Sequence, residues 1–193
     1  MHGRLHGKIT LILEGDSEIA AAAAVRFARE GARVALCGRD AESLEETATA
    51  VADAGGSAYV LQADPDHDAQ LSAVLDQAIG QFGTLDVLIC CPPEHGKGRQ
   101  AGVDLAASKA LVSMAARGGG SIVLVAPRTG DSGPSAADSA LSPVEASARR
   151  LALEGASRAV RVNVVAPGLV GTERMLAGFT EPSGRKNAER SVP

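Results

Sequence analysis

The sequence predicts an α/β domain built on a doubly wound parallel sheet of about six strands. Short runs rich in apolar and β-branched residues alternate along the chain with longer segments rich in Ala, Leu and Glu. The strand runs show little polar alternation, which is typical of parallel strands covered by helices on both faces. Because a repeated strand–helix–strand unit closes by right-handed crossovers, this order predicts a doubly wound sheet.

Six strands and five helices are expected in alternating order. The predicted strands are Ile9–Leu13, Arg33–Cys37, Ala58–Gln62, Val87–Cys91, Ser121–Ala126 and Val160–Val165. The predicted helices are Ile19–Glu30, Ala41–Ala54, Ala69–Phe82, Leu105–Ala116 and Pro143–Gly155. In the second helix, Leu44, Ala48 and Val51 recur at intervals of three and four, as one buried face requires. We expect a single domain over residues 1–177 and a loose tail over 178–193, because the tail has no periodicity.

Composition excludes several classes of protein. A net charge of -4 and an aromatic content of 2% offer neither a phosphate-binding surface nor a base-stacking platform, so no nucleic-acid partner is expected. No apolar run approaches the ~18 residues of a membrane span, and the first residues lack a signal peptide, so we expect a cytoplasmic protein without membrane association. No metal is expected either, because Cys90, Cys91 and His95 match no established zinc spacing.

Four segments of the sequence and one single residue match the sequence pattern of a known protein family. They are the segment 5–40, Asp64 after the third predicted strand, FGTLDVLI at 82–89, GGGSIVLV at 118–125 and RVNVVAPGLVGT at 161–172. Together they resemble the short-chain dehydrogenase/reductase family over essentially the whole chain, and the last run is the most specific. The resemblance implies a Rossmann-type sheet and hydride transfer between NAD(P)(H) and an alcohol or carbonyl. It also implies a degenerate, truncated member, since the usual final helix and strand are missing.

The first turn departs from the family pattern. The positions of the family's three phosphate-turn glycines fall on Glu14, Glu18 and Ala20, and Asp16 adds a third carboxylate. One carboxylate–phosphate pair at ~6 Å with an effective dielectric constant of ~20 costs roughly 3 kcal/mol, against ~0.3–1 kcal/mol from the helix dipole. The cofactor contacts that the resemblance implies are Gly15, Ser17, Ile19, Arg39, Asp64, Pro167, Gly168, Val170 and Thr172. With the carboxylates at the first turn, we expect these contacts to bind a dinucleotide weakly at most.

Three of these positions allow a second interpretation. Ser17 and Glu18 suit an N-cap and a first-turn carboxylate better than they suit an anion site. Gly38 stands where NAD-preferring members carry an acidic residue, and Arg39 after it suits a 2′-phosphate, so NADP(H) is the favoured dinucleotide. Alternatively, Arg39 is a solvated residue that leads into the next helix.

The proton-transfer residues of the family are missing from the sequence. The resemblance places its tyrosine and its lysine at Ala137 and Leu141. The only tyrosine, Tyr59, lies in a predicted strand, and no lysine follows it by four residues. Since a tyrosine with a pKa near 10 needs a neighbouring cation to act as a base at neutral pH, no catalytic residues are expected.

Three hypotheses follow from these observations. The first is a non-catalytic member that acts through binding, as a subunit in a homo- or hetero-oligomer with a homologous chain. The second is an NAD(P)-dependent oxidoreductase with displaced catalytic groups, among which Asp138 and Ser139 are candidates. The third is a decaying product without a function.

Overall fold

The computed structural model describes residues 3–91, 100–126, 142–167 and 170. The strands are β1 (Ile9–Leu13), β2 (Arg33–Gly38), β3 (Ala58–Gln62), β4 (Val87–Cys90), β5 (Gly120–Val125) and β6 (Val160–Val165). The helices are α1 (Glu18–Arg29), α2 (Ala41–Asp53), α3 (Asp68–Phe82), α4 (Gln100–Ala116) and α5 (Pro143–Ala156). All neighbouring strands pair in parallel, in the order β3-β2-β1-β4-β5-β6, which confirms the predicted doubly wound sheet.

Helices cover the sheet on two faces, and each face has its own apolar core. On one face the small side chains of α1 and the branched side chains of α2 pack against Ile12 and Leu36 of the central strands. On the other face α3, α4 and α5 enclose Leu11, Leu88 and Ile122. The central strands are therefore buried on both sides, as their continuous apolar sequence predicts.

The first helix owes its position to a cap and to a stripe of small residues. Ser17 has an extended backbone and accepts a hydrogen bond from the N–H of Ala20 at 3.3 Å, which confirms its interpretation as the N-cap. Ala20, Ala24 and Ala28 recur every four residues and are buried, so the helix backbone lies close to the sheet. The turn that precedes the helix is thereby fixed against the ends of the strands.

The fourth helix begins five residues before its predicted start. Gly102 lies in its first turns, where a glycine weakens the helical pattern and hides the true start from sequence analysis. The glycine is needed there because a Cβ atom would meet the carbonyl oxygen of Pro65 at 2.6 Å. Every other predicted boundary agrees with the structure to within one residue.

The last strand differs from the others in its covering. Burial alternates along β6, with Arg161, Asn163 and Val165 exposed, whereas the prediction was of strands covered on both faces. The reason is its covering: Val160, Val162 and Val164 face the core under α4 and α5, and β6 is the end strand of the sheet in the described ranges. Across the described ranges, no helix has the length and apolar character needed to cross a membrane.

Candidate functional site

A charged cluster lies where β1, β2 and β3 end. The turn after β1 contributes Glu14 and Asp16, the residue after β2 is Arg39, and the loop after β3 contributes Asp64 and Asp66. Parallel strands place their carboxyl ends at one edge of the sheet, so these three connections meet there. This edge, close to the point where the strand order reverses between β1 and β4, is the usual ligand crevice of doubly wound folds.

Glu14 is a buried carboxylic acid in a left-handed backbone conformation. Its φ is 56°, although it has a side chain, and only 7% of the residue is exposed. Burial raises the pKa of Glu14 to about 7; the charge of Arg39 opposes this rise, whereas the charges of Asp16, Asp66 and Asp64 add to it. The backbone thus keeps a conformation that glycine favours, while the side chain places an acid where the family pattern has none.

Asp16 ties the first turn to the end of β2. Its Oδ2 accepts hydrogen bonds from the backbone N–H groups of Arg39 at 2.9 Å and Asp40 at 3.0 Å. A Cβ atom on Gly38 would meet the Cγ and Oδ1 of Asp16 at 2.6 Å, so the carboxylate lies directly over this glycine. Gly38 is therefore needed for a contact within the chain.

Arg39 is surrounded by carboxylates of its own chain. Its Nε donates to Asp64 Oδ1 at 2.8 Å, its second terminal nitrogen donates to Asp66 Oδ2 at 2.7 Å, and the first lies 3.6 Å from Glu14 Oε2. Desolvation lowers the pKa of the guanidinium, but the hydrogen bond to Asp64 and the three negative charges outweigh this effect and raise the pKa. The same hydrogen bond, with one from the N–H of Asp66, lowers the pKa of Asp64. Neither sequence interpretation of Arg39 anticipated this pairing.

The other predicted cofactor contacts have mixed positions. The N–H of Gly15 donates to the carbonyl of Cys37 at 2.8 Å. A Cβ atom at Gly15 would lie 3.1 Å from side-chain atoms of Leu36 and Leu44. Ile19 is half-buried on α1. Pro167 and Val170 follow β6, three places from β1 in the strand order, whereas Gly168 and Thr172 lie outside the described residues. Among the predicted contacts that the structure describes, Gly15, Ser17, Arg39 and Asp64 therefore lie together at the first turn.

Tyrosine and lysine are kept apart in the described part of the chain. Tyr59 is the second residue of β3, remote from the charged edge, and its hydroxyl accepts a hydrogen bond from Gln77 at 3.1 Å. Lys8 pairs with Asp86 before β4, and Lys109 donates to Ser72 and Asp76 on α3. The positions that the resemblance assigned to the family's tyrosine and lysine, 137 and 141, lie outside the described residues, as do 138 and 139.

The three cysteines lie in the core. All are buried and unpaired as disulfides, and burial raises the pKa of the Cys37 and Cys91 thiols to about 12 and that of Cys90 further. A thiol that stays protonated is a poor nucleophile and a poor metal ligand. In the ranges that the structure describes, no three His, Cys, Asp or Glu side chains are arranged to hold a metal ion.

Comparisons with known proteins decide the family. The model for the short chain dehydrogenase family matches residues 8–93. The cis-4-hydroxycyclohexanecarboxylate dehydrogenase of Sinomonas cyclohexanicum is 31% identical over 192 residues, which cover 89% of this chain and 76% of that protein. This chain belongs to the short-chain dehydrogenase/reductase family.

Two further members agree with this assignment. The uncharacterized oxidoreductase YxbG of Bacillus subtilis is 30% identical over 200 residues, covering 93% of this chain and 73% of that protein. A short-chain type dehydrogenase/reductase from Mycobacterium marinum superimposes with a TM-score of 0.73 at 27% identity, covering 85% of this chain and 75% of that structure. The similarity confirms the family and the fold that the sequence predicted.

The family implies a nicotinamide dinucleotide, and the first turn can be tested against it. A dianionic diphosphate needs backbone N–H groups or cations that point at it. Here the N–H of Gly15 is bonded within the chain, and the single guanidinium of Arg39 faces three carboxylates. The side chains at the first turn therefore do not fit a diphosphate.

Proposed function

We propose that this chain is a non-catalytic member of the short-chain dehydrogenase/reductase family that acts by binding a homologous subunit. The observation that carries the proposal is the missing proton donor. The chain has one tyrosine, Tyr59, whose hydroxyl is bonded to Gln77 on α3, and no lysine four residues after it. A family member without this pair lacks the group that would exchange a proton with an alcohol or carbonyl.

The charged cluster supports the same proposal. Three carboxylates, on Glu14, Asp64 and Asp66, surround the Arg39 guanidinium at the edge where a dinucleotide would lie. A fourth, on Asp16, lies beside them and accepts from the backbone N–H of Arg39. An added diphosphate would meet an excess of negative charge, at roughly 3 kcal/mol for each pair at ~6 Å. NADP(H) is the favoured dinucleotide if one binds, and we propose that its binding is weak.

Exposed apolar side chains support the binding of a partner. Val112 on α4 is 59% exposed and Leu153 on α5 is 81% exposed, although both helices also pack on the core. Val165 on β6 is 48% exposed, and β6 ends the strand order among the residues that the structure describes. Unpaired strand edges and exposed apolar residues are typical of surfaces that another subunit covers.

An activity assay tests the catalytic half of the proposal. The purified chain is incubated with NADP(H) or NAD(H) and a panel of alcohols and ketones, and absorbance of the reduced nicotinamide is followed. We expect no turnover above the blank without protein. Turnover at the rate of an active family member in the same assay would overturn the proposal.

A mixing experiment tests the binding half. The chain is co-expressed with a catalytically active family member of the same genome and the mass of the product is measured by light scattering. We expect a mixed assembly, and we expect Leu153→Glu to weaken it while the matched change Glu154→Gln, at the next position of α5, does not. A chain that remains separate from every such homologue would contradict the proposal.

A second candidate is an active NAD(P)-dependent oxidoreductase with displaced catalytic groups. The identity to a named dehydrogenase over most of the chain favours it, as does the intact run at 161–172. In this case the change of both Asp138 and Ser139 to Ala abolishes turnover. Turnover that survives the double change would exclude these two residues as the catalytic groups.

A further inference from the structure

We propose that the side chain of Asp16 closes the ribose position of the dinucleotide site, so that the site is blocked by its own chain. This inference rests on the proposed function and deepens it. It attributes weak cofactor binding to a side chain that fills the ribose position, in addition to the missing glycines of the first turn. It also predicts that a single substitution reopens the position.

The space over Gly38 is already occupied. In doubly wound folds, the residue at the end of the second strand, some twenty residues after the phosphate turn, contacts the ribose 2′-hydroxyl or a 2′-phosphate. Gly38 is that residue here. The space over its Cα is filled by a carboxylate, since a Cβ would lie 2.6 Å from Asp16 Cγ and Oδ1 and 2.9 Å from its Oδ2. A ribose cannot occupy the same volume.

The carboxylate of Asp16 is anchored by backbone donors. Asp16 Oδ2 accepts from two consecutive backbone N–H groups, of Arg39 and Asp40. Asp40 is itself held as the N-cap of α2, where it accepts from the N–H of Glu42 at 3.2 Å and from the hydroxyl of Ser43 at 2.7 Å. Because Asp40 caps α2 and Arg39 links that cap to the end of β2, both donors are fixed in position, and the Asp16 side chain is held over Gly38.

The guanidinium that would receive a 2′-phosphate is also engaged within the chain. Arg39 directs its side chain to Asp64 and Asp66, with hydrogen bonds of 2.8 and 2.7 Å. Its carbonyl oxygen accepts from the side-chain amide of Gln62 at 3.1 Å, which fixes the backbone as well. A phosphate at this position would have to replace two short charged hydrogen bonds, in addition to displacing Asp16.

Three variants of Asp16 separate occupation from charge. Asp16→Gly and Asp16→Ser empty the space over Gly38, whereas Asp16→Asn is the matched control, because it removes the charge but keeps the volume and an oxygen acceptor. The probe is NADPH, added to the full chain and followed by calorimetric titration. We expect the Gly and Ser variants to bind at least about tenfold more tightly than the Asn variant, whose gain over wild type measures the part of the barrier that charge contributes.

Each result decides the inference. If the Gly and Ser variants unfold as cooperatively as wild type but gain no affinity, the inference is wrong. A gain in the Asn variant equal to that of the Gly variant would also overturn it, because charge alone would then explain the barrier. Micromolar binding to wild type would show that the position is open.

One measurement needs no variant. In wild type, the backbone N–H groups of Arg39 and Asp40 are bonded to Asp16, so we expect both to be protected from hydrogen exchange. Rapid exchange at both would overturn the inference. The proposed function fails separately, through turnover or the lack of a partner, so a variant that binds NADPH without turnover supports both proposals.

Discussion

The guanidinium of Arg39 donates from Nε to Asp64 Oδ1 at 2.8 Å, across the ends of two neighbouring strands. This pair joins the connection after β2 to the connection after β3, and Asp66 and Glu14 complete the surroundings of the cation. A positive charge that could attract a phosphate is thus neutralised within the chain. The pair also makes Arg39 a structural residue, which can be measured.

Replacing Arg39 should destabilise the fold. Arg39→Met leaves three carboxylates without their cation, and one of them, on Glu14, is buried. Because 37% of the Arg39 side chain is exposed, solvent screening limits the expected loss to about 1–2 kcal/mol of unfolding free energy. Urea denaturation measures it. Arg29→Met, at an exposed position of α1, is the matched control and should change stability little; equal losses in the two variants would contradict a structural role for Arg39.

The buried carboxyl of Glu14 should make stability depend on pH. Its pKa is raised from 4.5 to about 7 in the folded protein, so its favourable contribution is complete below pH 4.5 and is lost as the pH rises through 7. This shift corresponds to ~3 kcal/mol. The difference in unfolding free energy between Glu14→Gln and wild type should therefore shift in favour of the variant as the pH rises from 5 to 8. Urea denaturation at both pH values measures this difference.

An exposed carboxylate is the control for that experiment. Glu46 lies on the solvent side of α2, so Glu46→Gln should leave the pH dependence of wild type unchanged. A stability difference between wild type and Glu14→Gln that does not vary with pH would show that Glu14 is not held protonated.

A second left-handed residue offers a test of backbone strain. Ala159 has a φ of 55° in the connection between α5 and β6. An L-residue in this conformation costs ~1–2 kcal/mol, of which the extra freedom of glycine in the unfolded chain offsets ~0.5–1 kcal/mol. Ala159→Gly should therefore raise the unfolding free energy by about 0.5–1 kcal/mol. Ala156→Gly, in the last turn of α5, should lower the unfolding free energy by a similar amount. If both substitutions change it in the same direction, backbone strain at Ala159 is not the cause.

Two buried threonines should respond differently to the loss of a hydroxyl. The Oγ1 of Thr10 has no hydrogen-bond partner among the described residues, whereas that of Thr47 donates to the carbonyl of Gly15 at 3.4 Å. A buried hydroxyl without a partner costs free energy, so Thr10→Val should be neutral or stabilising by up to ~1 kcal/mol. Thr47→Val should lose about 0.5 kcal/mol. Thermal or urea unfolding of the two variants measures this, and a larger loss at Thr10 would contradict the assignment of partners.

The sequence was sufficient for the doubly wound parallel sheet and most element boundaries. Apolar runs with few polar positions identify parallel strands, and chirality leaves few ways to connect them. The N-cap at Ser17 was also predictable, because a small hydroxyl before an alanine-rich helix has a direct physical role. The start of α4 was missed because Gly102 serves a close approach to Pro65 that only the folded chain shows.

The charged cluster was only partly predictable. Parallel strand ends meet at one edge, so the carboxylates after β1 and β3 could have been placed near Arg39 from the sequence alone. The contact of Asp16 with Gly38 could not, because it depends on the side-chain conformation of Asp16 and on the exact register of β1 and β2. In the sequence, the glycine at position 38 suggested open space for a ligand. In the structure, the carboxylate of Asp16 lies in that space.

Calorimetric titration of the wild-type protein with NADPH is the most direct test of the view that this chain has closed its cofactor site with its own side chains. We predict no saturable binding in the micromolar range at neutral pH. A one-to-one complex with a micromolar Kd would contradict it.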